Sequence, residues 1–334
     1  RTLTGFEGDS LASALLANGV SHVGRSFKYH RPRGIYSAGE EEPCAIVETG
    51  SGDARVPNCR APMVPLQEGL VVTSQHCWPS LQFDAGRVFD FSHRLWPAGF
   101  YNKTFKWPSW DFWEPLVRKA AGLGRPLTGP DPDHYEQVNA HCDLLVCGGG
   151  PAGLIAALAA CRAGLRVILA DQGNLFGGML NHEQVKLDGM PGTDRARNLV
   201  DEIRDTGKAL LLPRTVVTGI YDHRVSTLLQ TGTGSSWREC FWTIRPRRIL
   251  LATGAIEQGL VFPGNDRPGI MLAGAVRHYL NRYAVRPGRR TVIATNNDSA
   301  YQTALDLVSA GVPVGAVVDG RDRIREDLAN MLAE

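Results

Sequence analysis

No stretch of the chain approaches the roughly 20 consecutive apolar residues that a membrane-spanning helix needs. The nearest run, residues 153–170, is broken by Arg162 and Arg166. Neither sign of charge dominates: 36 Lys and Arg against 34 Asp and Glu leave a formal charge of +2, which makes no electrostatic case for nucleic acid or a membrane surface. An initiator methionine and a basic-then-apolar leader are both missing, so nothing points to secretion. Arg1-Thr2-Leu3-Thr4 reads as a strand already under way in a longer chain. The seven cysteines (44, 59, 77, 142, 147, 161 and 240) are odd in number and scattered, as expected of buried, reduced thiols in a cytoplasmic protein rather than a disulfide framework. HExxH and paired CxxC motifs are absent, which argues against a zinc site. Cys142 and Cys147 have CxxxxC spacing but flank a strand, where a separation of five residues turns side chains to opposite faces; a redox pair is not expected.

What is present is the composition of an ordinary soluble globular protein, 43% hydrophobic and 21% charged over 334 residues, enough for two or three domains. Residues 1–78 read as a small α+β domain. Asp9 or Ser10 can cap a helix from Leu11 to Asn18 that Gly19 stops, and strand-like runs follow at Ala45–Glu48 and Leu70–Thr73. Within it His30, in His30-Arg31-Pro32-Arg33-Gly34 with Lys28 close by, reads as part of a solvated basic loop or, more sharply, as a docking surface or anion contact. Residues 79–139 combine seven prolines with many aromatics (Phe89, Phe91, Trp96, Phe100, Tyr101, Phe105, Trp107, Trp110, Phe112, Trp113) and little periodicity. That is too aromatic for a disordered linker, and it reads as an irregular arm packed on another surface, with a boundary near Pro126, Pro130 and Pro132. Residues 140–284 alternate strand and helix. A second strand-turn-helix opens residues 285–334 as a truncated lobe.

The alternating region begins with a short strand, Asp143–Cys147, followed by Gly148-Gly149-Gly150-Pro151-Ala152-Gly153, an apolar helix, and a second strand ending at Asp171. This is the full context of a dinucleotide-binding turn. Gly148 permits the tight turn, Gly150 lets backbone approach a pyrophosphate, and Gly153 lets helix and strand pack closely. The helix N-terminus offers free N–H groups to the phosphates, and Asp171 is placed to accept from a ribose hydroxyl, with Gln172 beside it. Gly177-Gly178-Met179-Leu180 and Leu251-Ala252-Thr253-Gly254-Ala255 fall where flavoproteins of the glutathione-reductase type carry a GGxL loop and a strand-end ATG motif. Val216 or Val217 would then lie near the adenine. The turn and Asp171 suit NAD and FAD equally.

The second turn has lost its glycines: Thr295, Asn297 and Ala300 stand in their places, and Asp298 would repel a phosphate. The opening domain shows a parallel loss. A plant-type 2Fe–2S loop needs C-x4-C-x2-C and a later cysteine. On the frame of Gly34-Ile35-Tyr36 these positions are Ser37, Glu42 and Ala45, with Pro62 as the fourth. The expected fold is therefore α/β, a glutathione-reductase-like dinucleotide domain preceded by a small ferredoxin-like (β-grasp) α+β domain without cluster ligands.

The run 8–20, the run 24–35 containing His30-Arg31-Pro32-Arg33-Gly34, the run 265–271 and Thr295-Asn296-Asn297-Asp298-Ser299-Ala300-Tyr301 together resemble the alpha subunit of heterotetrameric sarcosine oxidase, over essentially all 334 residues. The resemblance implies NAD at Gly148, Gly149, Gly150, Pro151, Ala152, Gly153, Asp171, Gln172, Gly177, Gly178, Met179, Val216, Ala252, Thr253 and Gly254. It also implies a flavin-bearing beta subunit, small accessory subunits, FMN at an inter-subunit interface, and a folate site beyond residue 334. Related proline, hydroxyproline or opine dehydrogenase subunits, hydrogen cyanide synthase, and a non-catalytic NAD-binding scaffold are the alternatives.

Overall fold

Ser10 starts the first helix by a reciprocal cap. Its hydroxyl accepts the Ser13 N–H at 3.1 Å while the Ser13 hydroxyl accepts the Ser10 N–H at 3.0 Å, so two of the donors that every helix start leaves over are satisfied. The computed structural model describes residues 1–95, 99, 104–125, 129–232, 236–323 and 325. It divides into two compact units, Arg1–Asp131 with Glu257–Glu334, and Pro132–Ile256.

In the first unit helix α1 (Leu11–Ala17) is followed by a two-residue ladder of β1 (Gly24–Arg25) with β2 (Pro32–Arg33). A three-stranded antiparallel sheet then has β3 (Ile46–Thr49) between β4 (Val56–Arg60) and β5 (Val72–Ser74). Residues 1–4, expected as a strand, pair with no strand. They lie largely exposed, and Thr4 only lends its carbonyl to the Asn18 side chain. The apolar faces of α1 and β3 meet a later part of the chain: Leu11, Ile35, Ala45 and Val47 share one core with Leu272, Ala275, Tyr279 and Val285.

His30 is neither solvated nor available to a partner or an anion. It is 5% exposed, with Nδ1 at 2.7 Å from Asp84 and Nε2 at 2.9 Å from the Ala120 carbonyl. Asp84 also accepts the Trp78 N–H at 2.8 Å and lies 3.5 Å from Arg25. The proline- and aromatic-rich arm is thus fastened by one buried carboxylate. It is also less irregular than its sequence suggests. It contains α2 (Val88–Phe91) and the twelve-residue α3 (Trp110–Ala121), which is capped by Ser109 and stopped by Gly122 at φ +69°. No residue of α3 is buried, and Phe91 and Trp107 are 94% and 84% exposed. Trp96, Phe100, Tyr101 and Pro126 lie outside the described residues.

The second unit is built on a six-stranded sheet. Strand β6 (Tyr135–Cys147) runs thirteen residues, beginning well before the expected Asp143, because its first half pairs in parallel with β13 (Glu239–Leu251). Helix α4 (Pro151–Arg162) leads to β7 (Val167–Ala170). The ribbon of β8 (Lys186–Leu187) and β9 (Met190–Pro191) leads to α5 (Gly192–Asp205), and β10 (Ala209–Leu212), β11 (Thr215–Ile220) and β12 (Ser226–Thr231) follow. The order β10-β7-β6-β13-β12-β11 makes four parallel strands with an antiparallel wing. Val146, Leu154, Ala157, Leu169, Leu199 and Ile203 pack one face, and Leu145, Ile168, Leu212, Leu228 and Ile244 the other. Burial on both faces is what a parallel sheet requires.

Cys142 and Cys147 both join that second cluster, contrary to the alternation expected along the strand. The Asp143 and Leu144 N–H groups both donate to the Arg166 carbonyl, at 2.9 and 3.2 Å. Such a two-against-one irregularity shifts side chains from one face to the other. The two thiols remain free.

The last elements return to the first unit. These are α6 (Ala273–Arg277), extended by a π-turn from His278 to Arg282, then β14 (Thr291–Thr295), α7 (Ser299–Ser309) and β15 (Val314–Asp319), which pairs in parallel with β14. Ile293, Ala300, Ala304 and Leu307 pack against Val276 and Leu280. Among the described residues no helix is long and apolar enough to cross a membrane.

Candidate functional site

Four parallel strands of the second unit end along one edge, and the glycine turn is built there. The Gly148 N–H donates to the Ala170 carbonyl at 2.8 Å and the Ala252 N–H to the Cys147 carbonyl at 2.8 Å, so β6, β7 and β13 finish side by side. Loop crevices at the carboxyl edge of such sheets are where ligands bind.

Each glycine of the turn meets a different constraint. Gly148 adopts φ +104°, and a methyl group on it would lie 2.3 Å from the Ala252 carbonyl oxygen. One on Gly149 would lie 2.3 Å from the Phe176 ring, and one on Gly153 would lie 1.9 Å from the Gly148 carbonyl oxygen. Gly150 alone is open: a methyl group there would meet no atom within 4 Å, and its φ of −72° suits any residue. Packing therefore accounts for three of the glycines and leaves the fourth facing free space. Gly150 is also the N-cap of α4, and no side chain caps that helix end. Pro151, half-buried, and Ala152, exposed, follow it in the first turn.

Asp171 is half-buried and already engaged. Its carboxylate accepts the Gly149 N–H at 2.6 Å and the Gly173 N–H at 2.7 Å. Burial holds its carboxyl above the ordinary range, against the pull of those two donors. Asp171 thus braces the turn itself, a role the sequence reading missed. The remaining predicted residues come to the same place. The Gly177 N–H donates to the Gly149 carbonyl at 2.8 Å, and the site of a Gly178 methyl lies 3.0 Å from the Gly150 Cα. Met179 and Gln172 are exposed beside Gly178 and Asp171. The Thr215 N–H donates to the Asp171 carbonyl at 2.7 Å, bringing Val216 to the same edge, and Ala252, Thr253 and Gly254 follow the end of β13. Phe176, 9% exposed, was not anticipated. Its only local signal is its place immediately before the glycine pair.

The second turn has a different filling. Asn297 accepts the Ser299 N–H at 3.0 Å, Asp298 is paired with Arg321 at 2.7 Å, and Arg321 also holds Asp319 at 2.8 Å. Its polar side chains are thus engaged with one another and with the turn's own backbone.

A model of the FAD dependent oxidoreductase family matches residues 143–254, and a model of the 2Fe-2S iron-sulfur cluster binding domain matches residues 1–77. Sarcosine oxidase subunit alpha of Rhizobium meliloti (strain 1021) is 51% identical over 96% of this chain and 34% of its own length. The chain is a homologue of the N-terminal part of that subunit. The subunit of the same name from Corynebacterium sp. (strain P-1) is 38% identical, over 97% of this chain and 30% of the relative. The chain spans about a third of the length of these curated relatives. The solved structure of L-proline dehydrogenase from P. horikoshii shares the fold, with a TM-score of 0.64 at 19% identity over 98% of this chain and 54% of that one. The fold is α/β, a glutathione-reductase-like domain preceded by a ferredoxin-like domain without cluster ligands.

The two family matches imply different groups, and the residues fit only one. The open space at Gly150, the uncapped helix end and the backbone-lined edge suit a flavin or dinucleotide. Ser37, Glu42, Ala45 and Pro62 supply no thiolate for iron, and the Cys59 thiol donates instead to the Val56 carbonyl at 3.4 Å.

Proposed function

We propose that the chain is the cofactor-binding N-terminal part of the alpha subunit of a multi-subunit, cytoplasmic sarcosine oxidase, with NAD at the Gly148–Gly153 turn and FAD as the alternative occupant. Gly150 supplies the space for the pyrophosphate, and the N–H groups of the first turn of α4 face it. Asp171 holds the turn through Gly149 and presents its remaining acceptor positions to a ribose hydroxyl. Gln172, Met179, Val216 and Thr253 line the same edge. A bound dinucleotide supplies a hydride acceptor or donor, chemistry that no side chain carries. Oxidative demethylation of sarcosine to glycine then falls to a flavin-bearing beta subunit. Small accessory subunits, FMN at a subunit interface and a folate site in the part of the subunit this chain does not span complete the assembly.

The observation that carries this reading is the pairing of 51% identity along nearly the whole chain with one turn glycine that packing alone does not require. The exposed apolar side chains of α3 and the preceding loop, Trp107, Trp110, Phe112 and Leu116, favour burial against another subunit. The test is the cofactor content of purified Gly150→Val and Asn297→Gly variants. The first is expected to lose the bound nucleotide and the second to keep it. The reverse pattern would place the working site in the other turn.

A further inference from the structure

The opening domain keeps a loop of the length that encloses an iron–sulfur cluster, and something else sits inside it. The Glu42 side chain is turned inward, 1% exposed. One carboxylate oxygen accepts the N–H groups of Tyr36 at 2.8 Å and Ser37 at 2.6 Å; the other accepts those of Cys44 at 2.7 Å and Ala45 at 2.9 Å. Four donors meet the roughly four acceptor positions of an ionised carboxylate. Among the described residues no cation pairs with Glu42, so peptide dipoles alone balance its charge, as in backbone nests that bind anions.

The placement matches the ligand positions. Ser37, Glu42 and Ala45 occupy the C-x4-C-x2-C frame, and Ser37 and Ala45 are fully buried. Pro62, at the fourth position, is buried beside them, its neighbour Ala61 donating an N–H to the Ala45 carbonyl at 2.9 Å. The Ser37 hydroxyl is buried without a partner, as expected of a side chain left where a ligand once pointed. From outside, Tyr279 donates its hydroxyl to the Ser37 carbonyl at 2.8 Å and locks the loop onto α6 and its extension. In a cluster-bearing loop the thiolates bring negative charge, and hydrogen bonds converge on the sulfurs. A carboxylate provides both the charge and the acceptors.

We infer that the Glu42 carboxylate replaces the inorganic cluster as the anion around which this loop folds, leaving the domain with the architecture of an electron carrier and no redox centre. Burial and the neighbouring Glu42 charge push the Cys44 thiol up to about 11, so the nearest cysteine is also poorly suited to supply a thiolate.

Hydrogen exchange measured by mass spectrometry over residues 36–45 of the full chain tests this. In Glu42→Gln the amide NH2 faces two N–H donors. Losing these charge-assisted bonds is expected to speed exchange of the loop amides by roughly 10-fold or more. Glu40→Gln, on the same loop, removes only a surface pairing with Arg60 of β4 and is expected to exchange like the parent. Glu42→Asp keeps the charge on a shorter arm and is expected to fall between them. Parent-like exchange in Glu42→Gln would overturn the inference. So would stoichiometric iron and acid-labile sulfide in the parent protein purified anaerobically, a measurement that depends on no variant folding.

Discussion

At the scale of single residues, the account turns on which groups have partners and which face open space. The glycine turn was legible because its glycines fall at the spacing of a strand-turn-helix unit, although the groups that crowd Gly148 and Gly149, Ala252 and Phe176, are distant in sequence. Asp171 was legible as the acid after the second strand, but not as the acceptor of the Gly149 and Gly173 N–H groups, which depends on how the turn folds back. His30 was misleading for the same reason, since a basic residue in a polar loop gives no sign that the loop will close over it. The buried thiols offer a test of the packing. Burial pushes Cys142 and Cys147 up to about 11, above the ordinary 9.0. A raised folded-state value means that their contribution to stability is complete below the unfolded value and is lost as pH rises through the folded one. Thermal melting between pH about 8 and 11 is expected to fall more steeply for the parent protein than for a Cys142→Ala, Cys147→Ala double variant. Equal slopes would place the two thiols in contact with water.

At the scale of elements, strand and helix depend on partners distant in sequence, and this is where local reading failed. The polar first half of β6 becomes a strand only because residues 239–245 lie beside it. Likewise β4, which lies between the two runs read as strands, becomes a strand where β3 pairs with it. The helix α3 escaped notice because Pro115 lies inside it and aromatic side chains crowd its first turn. By contrast α4 and the strands flanking it are fixed by one close approach. A methyl group at Gly153 would lie 1.9 Å from the Gly148 carbonyl oxygen, so Gly153→Ala is expected to destabilise the second unit by about 1–3 kcal/mol despite alanine's higher helix propensity. Compared with the parent after both are stripped of nucleotide, Gly150→Val, one turn away with no neighbour within 4 Å, is expected to leave the melting temperature nearly unchanged. If both variants melted like the parent, the packing described for the turn would be wrong.

At the scale of the whole molecule, two strand-turn-helix units and one ferredoxin-like domain share a chain, and the proposed dinucleotide belongs to the first turn alone. The second turn is closed by Asn297 and by the pairing of Asp298 with Arg321, and the loop by Glu42. The turn at Gly148–Gly153 alone combines an uncapped helix end with empty space at its central glycine. The central claim is that this turn carries NAD. The most direct test is the mass and absorbance of the nucleotide released when the purified chain is denatured. The account predicts about one NAD per chain with no visible flavin band; FAD in its place, or no nucleotide at all, would contradict it.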